Sequence, residues 1–310
     1  MNTRIAVLIP CYNEEKTIER VIADFQTVLP EARIYVCDNN SNDLTVERAE
    51  KAGARVLFES AQGKGHAMLR LFNSIDADIY VLVDGDDTYP AQQAPGLIAA
   101  LKEKNAQMVV GDRLSNNTYK LQNKRKFHNL GNSLMNRLIN TFFKSNIKDI
   151  LSGYRVFDKG FVHNYASFAK GFEIETDLTL FALNYGLPVY EVPIDYRNRP
   201  EGSFSKLNTF SDGFRLIFTF FNLYRLYKPL SFFSLVALFL FLTGCFLGAF
   251  PIYEYMEFQY VYKVPTAVLA LGLILMAALL LCCGLILDLI TNIDRKNMKI
   301  KMKKYVVKYQ

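Results

Sequence analysis

Cysteine is sparse in this 310-residue chain: Cys11, Cys37, Cys245, Cys282 and Cys283 are the only ones, and no pair has metal-ligand spacing. That excludes a disulfide scaffold and a cysteine-based metal module, and it predicts reduced packing residues in a cytoplasmic domain. Charge of one sign is also scarce. Thirty-six Lys and Arg against 30 Asp and Glu leave a net +6, too little for nucleic-acid binding but suited to anionic lipid or phosphate. The start, Met1 to Pro10, lacks a long apolar core and a small-residue cleavage site, so it reads as a buried strand and not a signal peptide. Neither a Walker A spacing nor a GxGxxG occurs around the one Gly-Lys-Gly. Hydrophobic residues at 51% and charged ones at 21% exclude a disordered or collagen-like chain.

The residues present are unevenly distributed. Most charged residues precede Pro229, whereas Leu230–Phe250 and Pro265–Ile290 are long apolar runs, each sufficient for a helix across a hydrocarbon layer that needs roughly 20 residues. A pair of buried core helices is the alternative. Between the runs lies a tyrosine-rich loop, Tyr253–Lys263. After them come Arg295, Lys296, Lys299, Lys301, Lys303, Lys304 and Lys308. Basic residues gather on the cytoplasmic side, so both termini are expected there, with the protein multi-pass in the cell inner (plasma) membrane. Two basic amphipathic helices are expected at the interface. One spans Lys124–Lys148, with Leu130, Leu134, Leu138 and Phe142 every four residues; the other runs from Phe210 to Lys228. The expected segments are a domain over 1–207, a juxtamembrane helix over 208–228, a transmembrane hairpin over 229–291 and a basic tail over 292–310.

Up to about residue 112 the chain alternates strands (near Ile5–Ile9, Arg33–Cys37, Arg55–Phe58, Ile79–Val83 and Gln107–Val110) with helices (Glu15–Val28, Asp43–Ala52, Gly65–Ser74 and Pro95–Lys104). This βαβ alternation predicts an α/β domain with a mostly parallel, Rossmann-like sheet. Ligands of such sheets sit beyond the carboxyl ends of the strands, which is where the polar clusters fall. Asp84-Gly85-Asp86-Asp87 places three carboxylates in four residues after a buried strand. They repel one another unless a cation sits among them, and oxygen ligands suit Mg²⁺ or Mn²⁺. An acidic solvent turn is the plainer reading. Gly63-Lys64-Gly65 opens a helix whose free N–H groups and lysine can meet phosphate or ribose, or is an ordinary helix start. Asp38 ends its strand as an acceptor for a nucleobase N–H, or as a helix-capping residue.

Pro10-Cys-Tyr-Asn-Glu-Glu15, Cys37-Asp-Asn-Asn-Ser-Asn-Asp43, Gly63-Lys-Gly65 and Val83-Asp-Gly-Asp-Asp-Thr-Tyr-Pro90 resemble, in order and spacing, the family 2 glycosyltransferases of GT-A fold. Ser152-Gly-Tyr-Arg155, Phe172-Glu-Ile-Glu175, Glu191-Val-Pro-Ile194 and Arg199–Lys206 narrow the likeness to the polyprenyl-phosphate branch, which includes dolichyl-phosphate mannose synthases and bactoprenol glucosyltransferases. The resemblance runs to about residue 207, and the hairpin matches bacterial members.

It implies an enzyme with a nucleotide diphosphate sugar as donor and a polyprenyl phosphate as acceptor. Pro10, Tyr12, Glu14, Asp38 and Lys64 then serve the donor nucleotide. Asp84 and Asp86 hold the metal and donor, Arg199 and Lys206 meet the diphosphate, and Arg113, Arg125 and Asn129 face the acceptor phosphate. Three departures stand out: Thr88 replaces a frequent Gln, Asn39 replaces the second Asp of the usual pair, and the loop to Lys206 is two residues longer than usual. A processive polysaccharide synthase would carry a QxxRW element, but the chain has no Trp. A GDP-mannose-using synthase and a non-catalytic sugar-nucleotide-binding scaffold are the alternatives to a UDP-sugar enzyme. A homo-oligomer is compatible with two spans.

Overall fold

The computed structural model describes residues 3–116, 126–166, 169, 171, 173–199, 218 and 220–305, with side chains left aside for 126–132. Lys206, Arg125 and most of the expected juxtamembrane helix therefore lie outside the described residues, as does the Asn129 side chain. Two compact units form, one of residues 1–219 with 298–310 and the other of residues 220–297.

The first unit is a sheet flanked by helices. In chain order it contains β1 (Ile5–Cys11), α1 (Ile18–Val28), β2 (Arg33–Asp38), α2 (Thr45–Lys51), β3 (Arg55–Phe58), α3 (Lys64–Ser74) and β4 (Ile79–Leu82). Then come α4 (Ala94–Glu103), β5 (Met108–Asp112), α5 (Lys126–Phe143), β6 (Arg155–Asp158), α6 (Lys159–Asn164), α7 (Ile174–Tyr185) and β7 (Val189–Pro193). The seven strands lie in the order β3-β2-β1-β4-β6-β5-β7. β1 and β4 are buried along their whole length because helices cover both faces, which is why they read as unbroken apolar runs. The strands pair in parallel, except that β6 runs antiparallel to both β4 and β5.

That inversion decides which residues reach the ligand edge. Parallel strands deliver the residues after their ends, whereas β6 delivers those before its start, with Arg155 level with Leu82 and Val110. Ser152-Gly153-Tyr154 thus stands beside the acidic turn. The Arg155 side chain is fully buried and donates to the carbonyls of Ser152 (2.9 Å) and Ile150 (2.5 Å) and to Thr179 Oγ1 (2.9 Å), bracing the start of the strand.

In α5 the stripe expected to face the interface stays off the core. Met135 and Ile139 are buried, while Leu134 and Phe142 stay exposed. In the second unit, residues 220–227 are helical and lead into α8 (Pro229–Phe258) and then α9, which starts at Val264. Both helices are long and apolar enough to cross a membrane. The connection is shorter than expected: α8 continues through Tyr253 and Tyr255, and Glu254 accepts the N–H groups of Tyr262 (3.2 Å) and Lys263 (3.1 Å) to close the turn. Asp288 interrupts the second apolar run and accepts from Asn292 (2.9 Å). The stretch expected as a separate tail remains helical to Met302. Its end belongs to the first unit, where Met302 Sδ accepts from Asn164 (3.4 Å) and Tyr305 packs beside His163. No disulfide joins any of the five cysteines. Cys11 and Cys37 pack in the core, whereas the three on α8 and α9 are exposed and not packed as expected.

Candidate functional site

The tips of β1 and β2 are knitted together before they can present anything to a ligand. Asn13, at φ +53°, donates its backbone N–H to Ser41 Oγ (2.9 Å), and Asn13 Oδ1 accepts from the Asn42 N–H (2.8 Å). The Glu14 N–H is held by Thr45 Oγ1 (2.8 Å), and the Glu15 N–H by Asp43 (3.1 Å). Pro10 lies buried inside β1, and Tyr12 is half-buried at its end. Asp38 is 2% exposed, and both its oxygens face the Ser41 N–H at 3.3 Å, which ties the turn after β2 but does not cap α2, whose N-cap is Leu44.

Asn39 has a distinct job. Its amide donates to the carbonyls of Glu59 (2.9 Å) and Ala61 (2.8 Å) while its oxygen accepts the Gly63 N–H (2.7 Å). An aspartate cannot donate twice, which accounts for the departure from a paired aspartate. This clamp fixes the loop leading to Lys64. Gly63 itself sits at φ +139°, a conformation that disfavours any residue with a Cβ.

Lys64 then enters the first turn of α3 and ends on two carboxylates, with Nζ 2.5 Å from Asp84 Oδ1 and 2.5 Å from Glu175 Oε1. Burial alone would drive its ammonium towards neutrality; the two carboxylates outweigh burial and hold its pKa above that of a free lysine. Asp84 is accommodated because residue 153 is glycine. A Cβ there would lie 2.6 Å from Asp84 Oδ2. Gly153→Ala is expected to displace that carboxylate and lower stability by about 1–3 kcal/mol; thermal denaturation followed by circular dichroism checks it, and an unchanged midpoint would contradict the packing.

Asp86 is 3% exposed, accepts from Thr88 Oγ1 (2.6 Å) and the Thr88 N–H (3.2 Å), and pairs with Arg199 Nη2 (2.5 Å). The Thr88 hydroxyl therefore aims Asp86. Burial opposes the Arg199 charge, but the Asp86 carboxylate more than restores it. Asp87, at φ +57°, pairs with Arg20 (3.2 Å) and Arg197 (3.5 Å), and the Arg197 N–H donates to Thr88 O (2.9 Å). These ties bring the segment after β7 alongside the acidic turn and set Arg199 against Asp86.

Arg113 is gripped by Asp149 in bidentate fashion, Nε to Oδ2 at 2.7 Å and Nη2 to Oδ1 at 2.8 Å, with its guanidinium 5.7 Å from the Tyr196 ring centre. Asp149 is fixed in turn by Glu191, which accepts its N–H (2.9 Å). The structure thus brings together Lys64, Asp84, Asp86 and Arg199, and gives Arg113 a buried ion pair of its own. Glu175, Gly153, Arg197 and Asp149 were missed as site residues. The signal for Glu175 and Gly153 is their place in the Phe172–Glu175 and Ser152–Arg155 motifs, which carry the resemblance without a role for either residue.

No cluster of three His, Cys, Asp or Glu side chains able to hold a metal occurs among the described residues. Asp84 and Asp86 offer hard oxygen donors, so a divalent ion there would draw its remaining ligands from substrate oxygens and water. The Gly153 cradle keeps one of those carboxylates in place, and the residues fit such an ion.

A seven-stranded mixed sheet with an acidic turn and two cations at its carboxyl edge is the arrangement of a GT-A glycosyltransferase. The model of the family described as glycosyl transferase family 2 matches residues 6–165. Glycosyltransferase AglJ of Haloferax volcanii is 32% identical over 296 residues, covering 95% of this chain and 96% of the relative. The chain belongs to glycosyl transferase family 2. A dolichyl-phosphate hexose transferase of the same organism is 29% identical over 209 residues, 67% of this chain and 89% of the relative. Glucosyl-3-phosphoglycerate synthase of Mycobacterium tuberculosis, solved in complex with Mn²⁺, UDP-glucose and phosphoglyceric acid, has the same fold. It superposes with a TM-score of 0.55 at 22% identity, over 72% of this chain and 80% of that one.

Proposed function

We propose that the protein transfers a sugar, with inversion, from a nucleotide diphosphate sugar to polyprenyl phosphate, giving a polyprenyl-phosphate-linked sugar for cell-envelope glycosylation. The donor is read as a UDP-hexose such as UDP-glucose or UDP-N-acetylglucosamine, and the acceptor as undecaprenyl phosphate. The observation that carries this reading is the convergence of Asp84, Asp86, Lys64 and Arg199 at one strand edge of a family 2 domain. The named chemistry of the dolichyl-phosphate relative and the two long apolar helices support a lipid acceptor. The catalytic domain and both termini are assigned to the cytoplasm.

The mechanism rests on charge. A phosphate monoester has its second pKa at about 6, so at neutral pH its oxygen needs little help from a general base. That oxygen bonds to the anomeric carbon as the bond to the diphosphate breaks, and nucleoside diphosphate departs with the electron pair. Asp84 and Asp86 would hold Mg²⁺ or Mn²⁺, which would neutralise charge on the leaving group. Arg199, Lys64 and Lys206 meet the diphosphate, while Asp38, Pro10, Tyr12 and Glu14 line the nucleoside side. Arg113 stiffens the acceptor side through Asp149, and Arg125 with Asn129 receives the acceptor phosphate. The exposed Leu134 and Phe142 on basic α5 suit contact with a lipid surface. Catalysis is then positioning plus electrostatics.

Two experiments test the reading. Purified full-length protein, incubated with undecaprenyl phosphate and labelled UDP-glucose, UDP-N-acetylglucosamine or GDP-mannose, is expected to move label into the organic phase; no lipid-linked label from any donor would leave only a binding scaffold. Arg125→Ala should raise the KM for lipid phosphate roughly tenfold, the size of one charge-assisted hydrogen bond, with little change in donor affinity. Equal losses on both sides would remove Arg125 from the acceptor site.

A further inference from the structure

The Glu175 carboxylate is buried near the start of α7, and Lys64 Nζ is its ion-pair partner among the described residues, at 2.5 Å. The same ammonium is 2.5 Å from Asp84. A buried carboxylate is expensive to desolvate and one carboxylate already balances the charge of a lysine, so the second carboxylate calls for an explanation. The chemistry at Asp84 supplies it. A divalent ion and an ammonium on one carboxylate repel strongly at such separations. If Asp84 were the only partner of Lys64, binding the ion would strand a buried, unpaired ammonium.

We infer that Glu175 is a positioning residue: it holds Lys64 when Asp84 turns to the metal, so that cation and lysine occupy the site together. The inference rests on the proposed metal role of Asp84. The charges fit. Asp84, Asp86 and Glu175 against Lys64 and Arg199 leave one net negative charge, so a divalent ion makes the cluster net positive, as a diphosphate requires. Geometry supports it too, because the two anchors come from separate elements. Asp84 comes after β4, whereas Glu175 is fixed within a helix whose first turns are buried, and Lys64 can release one without losing the other.

The test is a Mn²⁺ titration of the full-length protein in detergent, read by electron paramagnetic resonance of free Mn²⁺, with UDP and, separately, GDP at saturation. Glu175→Gln, which keeps the shape and removes the charge, should weaken Mn²⁺ binding roughly tenfold or more, the usual effect of losing a supporting partner behind a metal ligand. In the Glu175→Gln background, Lys64→Met should restore Mn²⁺ affinity, since no ammonium then competes for Asp84. A merely structural role for Glu175 would not give that recovery. Unchanged Mn²⁺ affinity in Glu175→Gln, or a loss that Lys64→Met fails to reverse, overturns the inference while leaving the metal site intact. Absence of Mn²⁺ binding to the unmodified protein with either nucleotide would sink the metal reading itself, and the inference with it.

Discussion

Asp86→Ala is expected to reduce sugar transfer by about a thousandfold or more, since a Lewis acid at a leaving diphosphate contributes several kcal/mol. The substitution removes one of two carboxylates proposed for the ion, the acceptor of the Thr88 hydroxyl, and the partner of Arg199. All three losses act on the leaving-group side, so nucleotide affinity in the presence of Mn²⁺ should fall alongside turnover. Asp86 is itself buried, and its loss takes contacts from Thr88 and Arg199, so the thermal midpoint is expected to fall as well, and rates are compared well below it. Rates measured with saturating lipid phosphate and Mn²⁺ decide the matter. Substantial residual transfer would take Asp86 out of the metal site.

The second large effect concerns stability. Asn39→Asp replaces an amide that donates to two carbonyls by a carboxylate that faces them. Two part-buried carbonyls lose their donors and face a negative charge, which costs about 3 kcal/mol. For a domain of this size that lowers the melting temperature by about 10 °C. The loop so loosened leads into Lys64, and transfer should fall with it. Circular dichroism melting in detergent checks the first effect, a suitable probe for a chain without tryptophan. An unshifted melt would show that the Asn39 clamp contributes nothing to stability.

The legible part of the sequence was local. The alternation as far as Val110 pointed to β1 to β5 and their helices, because strand and helix periods differ and their polar tips are contiguous in sequence. The apolar runs were equally plain. The middle of the chain was not. β6 has only four residues and begins with a buried arginine, and nothing in its pattern indicates that it inserts antiparallel between β4 and β5. Strand order is a property of distant pairing, which periodicity does not encode. α7 buries Glu175, Thr176 and Asp177 together, so it lacks the polar face by which a helix is recognised. In the candidate site, Asp84 and Asp86 could be read because the acidic turn is one short segment. Glu175 and Gly153 matter only through Lys64 and Asp84, partners far away in the chain that the fold alone brings close. On α5 the stripe read as interfacial keeps Leu134 and Phe142 exposed, while the core meets Met135 and Ile139, one position further on, which the spacing did not show.

The claim on which the rest depends is that Asp84 and Asp86 seat a divalent ion beneath the donor diphosphate. Anomalous scattering from the full-length protein bound to Mn²⁺ and the nucleotide tests it most directly. One strong peak is expected in contact with both carboxylates and with diphosphate oxygens, with Arg199 turned from Asp86 towards the phosphates. A nucleotide bound elsewhere, or a peak that leaves both carboxylates untouched, would contradict it.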